Sequence, residues 1–215
     1  MKKNLTELVF ILDCSGSMAG LENDTIGGFN AMLKRQRGKT GEAYVTTVLF
    51  ANDMRIVNDR QTIDRVEPLD SRKYRVGGCT ALYDAVGLTV DHIAHIHRYS
   101  RKEDRPEKTV FVITTDGMEN ASRKYTLQQV KQKIDEEKKK YGWEFIFLGA
   151  NIDAESVAED MGIDRTNAVN YCCDSEGTAV NFEAVGAAIS SVRETKNLDP
   201  RWRMPIDRDY TQRKR

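Results

Sequence analysis

Four apolar runs punctuate the chain: Leu8–Leu12, Val45–Phe50, Thr109–Thr114 and Glu144–Leu148. Each is short and rich in Val, Ile, Phe or Thr, and three of them lack a clean apolar–polar alternation. Strands covered on both faces read this way, as in a parallel sheet with helices on each side. Between the runs, apolar residues recur at helical spacing. Ile26, Phe29 and Leu33 form one stripe, and Leu82, Val86, Ile93 and Ile96 a second. Leu127, Val130 and Ile134 form a third, opened by Thr126-x-x-Gln129 in the pattern of a capping box. Ser156–Met161 reads as a short helix stopped by Gly162, and Phe182, Val185, Ile189 and Val192 mark the last helix.

One connection departs from strict alternation of strand and helix. Ala51-Asn52-Asp53 reads as a hairpin turn into an antiparallel edge strand, Met54–Val57, with Arg55 as an edge charge. Asn167–Cys172 is the candidate last strand. The expected order is β-α-β-β-α-β-α-β-α-β-α. That is an α/β fold in three layers, α/β/α, with a mainly parallel sheet, one antiparallel edge strand and right-handed crossovers.

Composition narrows the function classes. With 215 residues, 40% hydrophobic and 31% charged, the chain is long enough to bury a core without disulfide or zinc staples. Lys plus Arg and Asp plus Glu number 33 each, so no overall field draws it to nucleic acid or an anionic membrane. No apolar run approaches the roughly 18 residues of a membrane span. Met1-Lys2-Lys3 before Leu8–Leu12 faintly imitates a signal peptide, but the run is short and Asp13 ends it; a cytoplasmic location is expected. Cys14, Cys79, Cys172 and Cys173 lack CxxC spacing, which suggests neither a structural zinc site nor a disulfide framework. From Asn197 the texture changes, with six basic and three acidic residues and scattered apolar ones. The chain is therefore read as a domain over 1–196 and a charged C-terminal tail over 197–215. The tail either hugs the surface, frays, or serves as a basic interaction arm.

In open parallel sheets, ligands bind beyond the carboxyl ends of the strands. The first apolar run is followed by Asp13-Cys14-Ser15-Gly16-Ser17-Met18, and the third by Thr115-Asp116-Gly117. Gly77-Gly78-Cys79-Thr80-Ala81-Leu82 precedes the second striped helix. These segments offer hard oxygen donors and no His, which suits Mg²⁺, Mn²⁺ or Ca²⁺ rather than zinc.

Asp13-x-Ser15-x-Ser17, the Thr80 stretch Gly77–Ala85, and Thr115–Gly117 together resemble the metal-ion-dependent adhesion site of von Willebrand factor type A domains. The resemblance spans about Leu5 to Lys196 and is to the small single-domain bacterial or phage members. It implies a Rossmann-like fold and a divalent-cation site, Mg²⁺ with Mn²⁺ or Ca²⁺ as alternatives. By resemblance, Ser15 and Ser17 bind the metal through their hydroxyls, and Thr80 binds directly or through water. Asp13 and Asp116 act mainly through water and by orienting the hydroxyls. Neutral donors leave the cation attractive to an anionic oxygen, so the implied partner is a protein presenting Asp or Glu, bound without catalysis.

Other residues have plainer readings. Asp84, one turn into its helix, is read as a solvent or loop contact. His92, His95 and His97 lack the His-Glu-x-x-His arrangement of metalloproteases, and a His-rich last turn suits the helix dipole. Cys14 and Cys79 are read as small thiols filling gaps, with a redox switch as the sharper alternative. Adjacent Cys172 and Cys173 on a strand point to opposite faces and would not chelate together. A Mg²⁺-dependent, phosphatase-like hydrolase is the enzymatic alternative, but haloacid-dehalogenase-like enzymes need a second Asp where this chain has Ser15. There is no phosphate-binding Gly-x-x-x-x-Gly-Lys loop. A scaffold with an unused site is the third reading, and the oligomeric state is left open.

Overall fold

The computed structural model describes residues 1–213. Lys214 and Arg215, the end of the segment read as a tail, lie outside the described residues. The elements follow the expected order: β1 (Lys2–Asp13), α1 (Glu22–Arg37), β2 (Glu42–Phe50), β3 (Met54–Thr62), α2 (Leu82–Tyr99), β4 (Pro106–Thr115), α3 (Leu127–Tyr141), β5 (Glu144–Gly149), α4 (Ala154–Asp160), β6 (Ala168–Asn170) and α5 (Ser175–Thr195). A further helix, α6 (Met204–Arg213), comes after them. No helix among the described residues is long and apolar enough to cross a membrane.

The six strands lie in the order β3-β2-β1-β4-β5-β6. All neighbours are parallel except the β2–β3 edge pair. The solid apolar runs divide by period two. Leu8, Phe10 and Leu12 face a core shared with Phe29 and Met32 of α1 and Val185 and Ile189 of α5. Val9 and Ile11 face a second core with Val86 and Ile93 of α2 and Ile134 of α3. Burial on both faces removes the polar alternation that a one-sided strand shows. The capping box at α3 forms, Thr126 Oγ1 accepting from the Gln129 N–H and Gln129 Oε1 from the Thr126 N–H.

The order reverses at β1. The chain leaves β1 toward β2 and returns on the other side as β4, so the carboxyl ends of β1 and β4 border the switch point where open sheets bind ligands.

Two elements depart from the sequence reading, besides β6, which ends at Asn170 and so leaves Cys172 and Cys173 beyond the strand on which they were expected to face opposite ways. β3 continues past Val57 to Thr62, with register shifts between Val45 and Thr47 and between Thr47 and Val48. Its polar residues find internal partners: Asn58 Nδ2 donates to Thr47 Oγ1 at 3.2 Å and the Arg60 N–H to Thr46 Oγ1 at 3.1 Å. The second departure lies beyond Asn197, where residues read as a tail form a single turn, Pro200–Arg203, and then α6. Trp202 and Ile206, spaced i,i+4, are 5% and 1% exposed against the α1–α5 core, which is why this stretch folds. Ion pairs hold the rest. Arg203 donates to Glu155 Oε1 at 2.6 Å and to Asp207 at 2.7 Å, and Arg213 donates to Asp174 and Asp209 at 2.5 Å.

Arg203, with Arg165, holds the Glu155 carboxyl below its ordinary range, and Arg213 does the same to Asp174. A folded-state pKa below the unfolded one stabilises above the unfolded pKa, and this is lost as pH falls through the folded value. The expected outcome is that α6 undocks progressively below about pH 4, the ordinary carboxylate range. Pepsin cleavage inside Met204–Arg213 should then precede cleavage of the sheet domain. Simultaneous loss of both would show that these pairs do not hold α6.

Candidate metal centre

Three loops meet at the switch point and are bonded to one another through their backbones. The Cys14 N–H donates to Phe50 O at 2.8 Å, extending the β1–β2 pairing past Asp13. The Gly16 N–H donates to Gly78 O at 3.0 Å and the Gly77 N–H to Cys14 O at 2.9 Å, joining the first loop to the third. Gly78 has φ +80°, and a Cβ there would lie 2.8 Å from Asn52 Oδ1. That oxygen accepts from the Cys79 N–H at 2.5 Å, so the hairpin turn after β2 pins the third loop. The Thr80 N–H donates to Asn120 Oδ1 at 2.9 Å and the Asn120 N–H returns to Thr80 O at 3.0 Å, tying the third loop to the loop after Asp116.

This closure brings all five oxygen donors expected from the sequence to one rim. Asp13, Ser15, Thr80 and Asp116 are 1%, 1%, 3% and 2% exposed, while Ser17 is open to solvent. Ser15 Oγ and Ser17 Oγ lie 3.2 Å apart. Ser17 Oγ donates to Asp116 Oδ1 at 2.6 Å. Ser17 Oγ and Thr80 Oγ1 each lie 3.8 Å from where Gly117 would carry a Cβ, so Gly117 leaves the space between them clear. Asp13 accepts at Oδ1 from the Ser15 N–H and at Oδ2 from Thr115 Oγ1, both at 2.7 Å. Cys173 Sγ donates weakly to Asp116 Oδ2 at 3.7 Å.

Burial, with a smaller contribution from the Asp116 charge, pushes the Asp13 carboxyl up, and bonds from Ser15 and Thr115 oppose this. Neither Asp13 nor Asp116 has an ion-pair partner among the described residues. Buried carboxylates are ordinarily paired with a base or bound to a metal. Two of them facing three hydroxyls, without a base, fit a hard divalent cation. No three His, Cys, Asp or Glu are grouped as a metal cluster among the described residues, because three of these five donors are hydroxyls. The donors that would hold the ion are Ser15, Ser17 and Thr80 through hydroxyls and Asp13 and Asp116 through carboxylates.

The remaining candidates go elsewhere. Asp84 accepts from the N–H groups of Arg123, Lys124 and Tyr125, a loop contact. His92 pairs with Asp59, His95 lies against Tyr99, and buried His97 meets Glu7 Oε2 at 3.2 Å, so the three histidines share no site. Cys14 is buried, its thiol donating to Phe50 O and pushed up to about 11 by burial, while Cys79 is exposed; both are free. Several positioning residues were not singled out from the sequence. Tyr74 donates from its hydroxyl to Asp13 O at 2.5 Å, beneath the carboxylate. Asn151 Nδ2 donates to Asp116 O at 3.2 Å, and Asn52, Thr115, Asn120 and Cys173 act as described above. Thr115 carried a signal as part of Thr115–Gly117 and Asn52 as part of the turn Ala51-Asn52-Asp53, while Cys173 was read only as a thiol at the last strand.

Wild-type protein is expected to bind one Mg²⁺ or Mn²⁺ per chain, and Asp13→Ala or Asp116→Ala to abolish this while the fold persists. Calorimetric titration with circular dichroism checks both halves, and unchanged affinity in the two variants would refute the site. Asn120→Ala removes no ligand but frees the Thr80 loop, so affinity should fall roughly tenfold, as for other groups that orient ligands.

A search of curated proteins finds no significant match. Solved structures share the fold. A variant of the PilB minor pilin from Streptococcus sanguinis superposes with a TM-score of 0.65 at 11% identity, over 89% of this chain and 63% of that one. Proximal thread matrix protein 1 from the mussel byssus, with a zinc-occupied MIDAS motif, gives 0.57 at 17% identity, over 86% of this chain and 46% of that one. A von Willebrand factor type A protein from Catenulispora acidiphila gives 0.55 at 14% identity, over 86% and 42%. The chain thus spans less than two thirds of each of these proteins. Residues 7–185 match the profile of the von Willebrand factor type A domain. With that match over most of its length, and with the switch-point sheet that the family builds, the chain belongs to the von Willebrand factor type A domain family.

Proposed function

We propose that the chain is a divalent-cation-dependent protein-binding module that recognises an Asp or Glu on a partner protein. The observation that carries this reading is the pair of buried carboxylates, Asp13 and Asp116, facing three hydroxyls without a base to neutralise them. Ser17 donates its proton to Asp116, which leaves its oxygen lone pairs free toward the cation position. Thr115 and the Ser15 N–H hold Asp13 in place for the same task. A cation held there, Mg²⁺ or Mn²⁺, supplies a partly unquenched positive charge and an exchangeable position for a partner's carboxylate oxygen. Ser17 is the open side of the rim, so the partner approaches over it.

A binding role without catalysis is supported by the placement of the basic groups. The histidines serve His92–Asp59 and His97–Glu7 contacts, and the thiols of Cys14 and Cys173 are pushed up to about 11 and about 12. A cytoplasmic location is supported by Cys14 and Cys79, thiols in no disulfide, and a protein rather than nucleic-acid or membrane partner by the balanced charge.

In a pull-down from the native host, partner binding is expected with Mg²⁺ or Mn²⁺, to be lost in chelator and restored by adding the metal back. Thr80→Ala should weaken the partner more than the metal, since a ligand is held by its differential affinity for one state of the loop. A partner retained in chelator, or bound equally by Thr80→Ala, would turn attention to the sheet edge or α6.

A further inference from the structure

A groove of about 540 Å³ opens directly beside Asp116, lined by Asn151, Asp153, Tyr171, Cys172, Cys173 and Tyr210 among others. We propose that it receives a basic side chain, Arg or Lys, from the partner residue next to the metal-bound acid. This rests on the metal-bridged reading above and deepens it.

The groove and the metal centre share a wall. Asn151 donates to the backbone carbonyl of Asp116 and Cys173 to its carboxylate at Oδ2, so both residues touch Asp116 and line the groove at once. Consecutive residues of a bound segment are about 3.8 Å apart at Cα, so a neighbour of the acid is within reach of this space. The walls are preset. Asn151 holds φ +57°, a left-handed conformation that Asn tolerates better than most residues, and this turns the chain off β5 toward the rim. Tyr171 is buried at 5% exposure. Tyr210 comes from α6, beyond the residues 7–185 that match the family, so the matched segment alone does not supply this side of the groove.

The charge of the groove selects its occupant. No Lys or Arg lines it among the described residues, and its charged lining residue is Asp153. Past Cys173, the carboxylates of Asp174, Asp209 and Glu176 lie 2.5, 2.5 and 3.7 Å from the Arg213 guanidinium, three acids on one base. The bordering helix starts are already capped, α4 by Asp153 through the Ser156 N–H and α5 by Asp174 through the Gly177 N–H. Their N–H groups therefore do not call for an anion. A second acid on the partner would meet a net negative wall, whereas a cation would relieve it.

The test uses short blocked peptides with a central Asp, flanked by Ala, by Arg or by Glu, titrated into the full chain with Mn²⁺. The Arg-flanked peptide should bind about fivefold tighter than the Ala-flanked one, the upper range for a partly exposed charge pair. The Glu-flanked peptide should bind weakest, and chelator should abolish all three. Asp153→Asn removes the charge while keeping a side chain that caps α4. In this variant, and in Tyr210→Ala, the Arg-to-Ala ratio should fall to about one, with thermal melts reporting that each variant is folded. Equal binding of the Arg- and Ala-flanked peptides, or an Arg advantage surviving Asp153→Asn, overturns the groove assignment and leaves the metal-bridged reading standing. Absence of chelator-sensitive binding by every peptide overturns the metal-bridged reading, and the groove assignment with it.

Discussion

Parallel pairing of β1 and β4 at the switch point forces two carboxylates together at the ends of adjacent central strands, with Leu12 opposite Thr114 just before them. Asp13 and Asp116 are 1% and 2% exposed, so each pays for desolvation and each repels the other. The surrounding donors offset part of this. Asp13 receives the Ser15 N–H and the Thr115 hydroxyl, and Asp116 the Ser17 hydroxyl and the Cys173 thiol. A hydrogen bond to a charged group contributes roughly 1.5–3 kcal/mol, against several kcal/mol for burying each ion. The donors therefore bring the pair toward balance, yet none adds positive charge. That residual imbalance is what a divalent cation would relieve.

The loops around the carboxylates are fastened before any ligand arrives. Glu119 illustrates how. It accepts from the N–H groups of Tyr83, Ala121 and Ser122 and from Ser122 Oγ, so its charge is spent on shaping the loop after Asp116. Asp84 does the same for Arg123–Tyr125, and Tyr74 anchors the long segment before Gly77 under Asp13. Acidic residues within the site's loops are thus of two kinds. Those fully matched by backbone donors fix geometry, and those left partly unmatched face the cation position. Holding donors within a fraction of an ångström of their working positions requires such support.

The sequence displayed the strands and the ligand types, and it hid most of what holds the ligands. Solid apolar runs such as Leu8–Leu12 mark doubly covered strands because both faces are buried, and the Asp13, Thr80 and Asp116 segments follow or precede those elements at short range. The supports are different. Asn52 reaches Cys79 across 27 residues, Asn120 reaches Thr80 across 40, and Tyr74 reaches Asp13 across 61. Periodicity carries no information about such contacts, because each has at least one end in an irregular loop. β3 past Val57 was missed for a related reason. Asn58, Asp59 and Arg60 break the apolar pattern, and their polar groups are satisfied by Thr46, Thr47, His92 and Glu7 on other elements. α6 escaped because Trp202 and Ile206 are too few for a stripe, and its docking relies on ion pairs formed only in the folded chain.

Within the same sheet, a third buried acid shows the contrasting solution. Glu7 on β1 is 0% exposed, and the fold answers it with internal bases. Arg60 Nε donates to its two oxygens at 3.1 and 2.9 Å, and His97 meets Oε2 at 3.2 Å. Reaching Glu7 from the edge strand places Arg60 at φ +45°, a conformation unfavourable for a residue with a Cβ, beside a shift in strand register. The molecule thus accepts local backbone strain to neutralise one buried carboxylate from within. At the rim it has the same opportunity, since Arg55 lies on the neighbouring hairpin and turns instead to Lys73 O. An acid matched from inside is sealed structure. The pair at Asp13 and Asp116 is matched by neutral donors alone, an N–H, two hydroxyls and a thiol, and no internal cation answers it among the described residues.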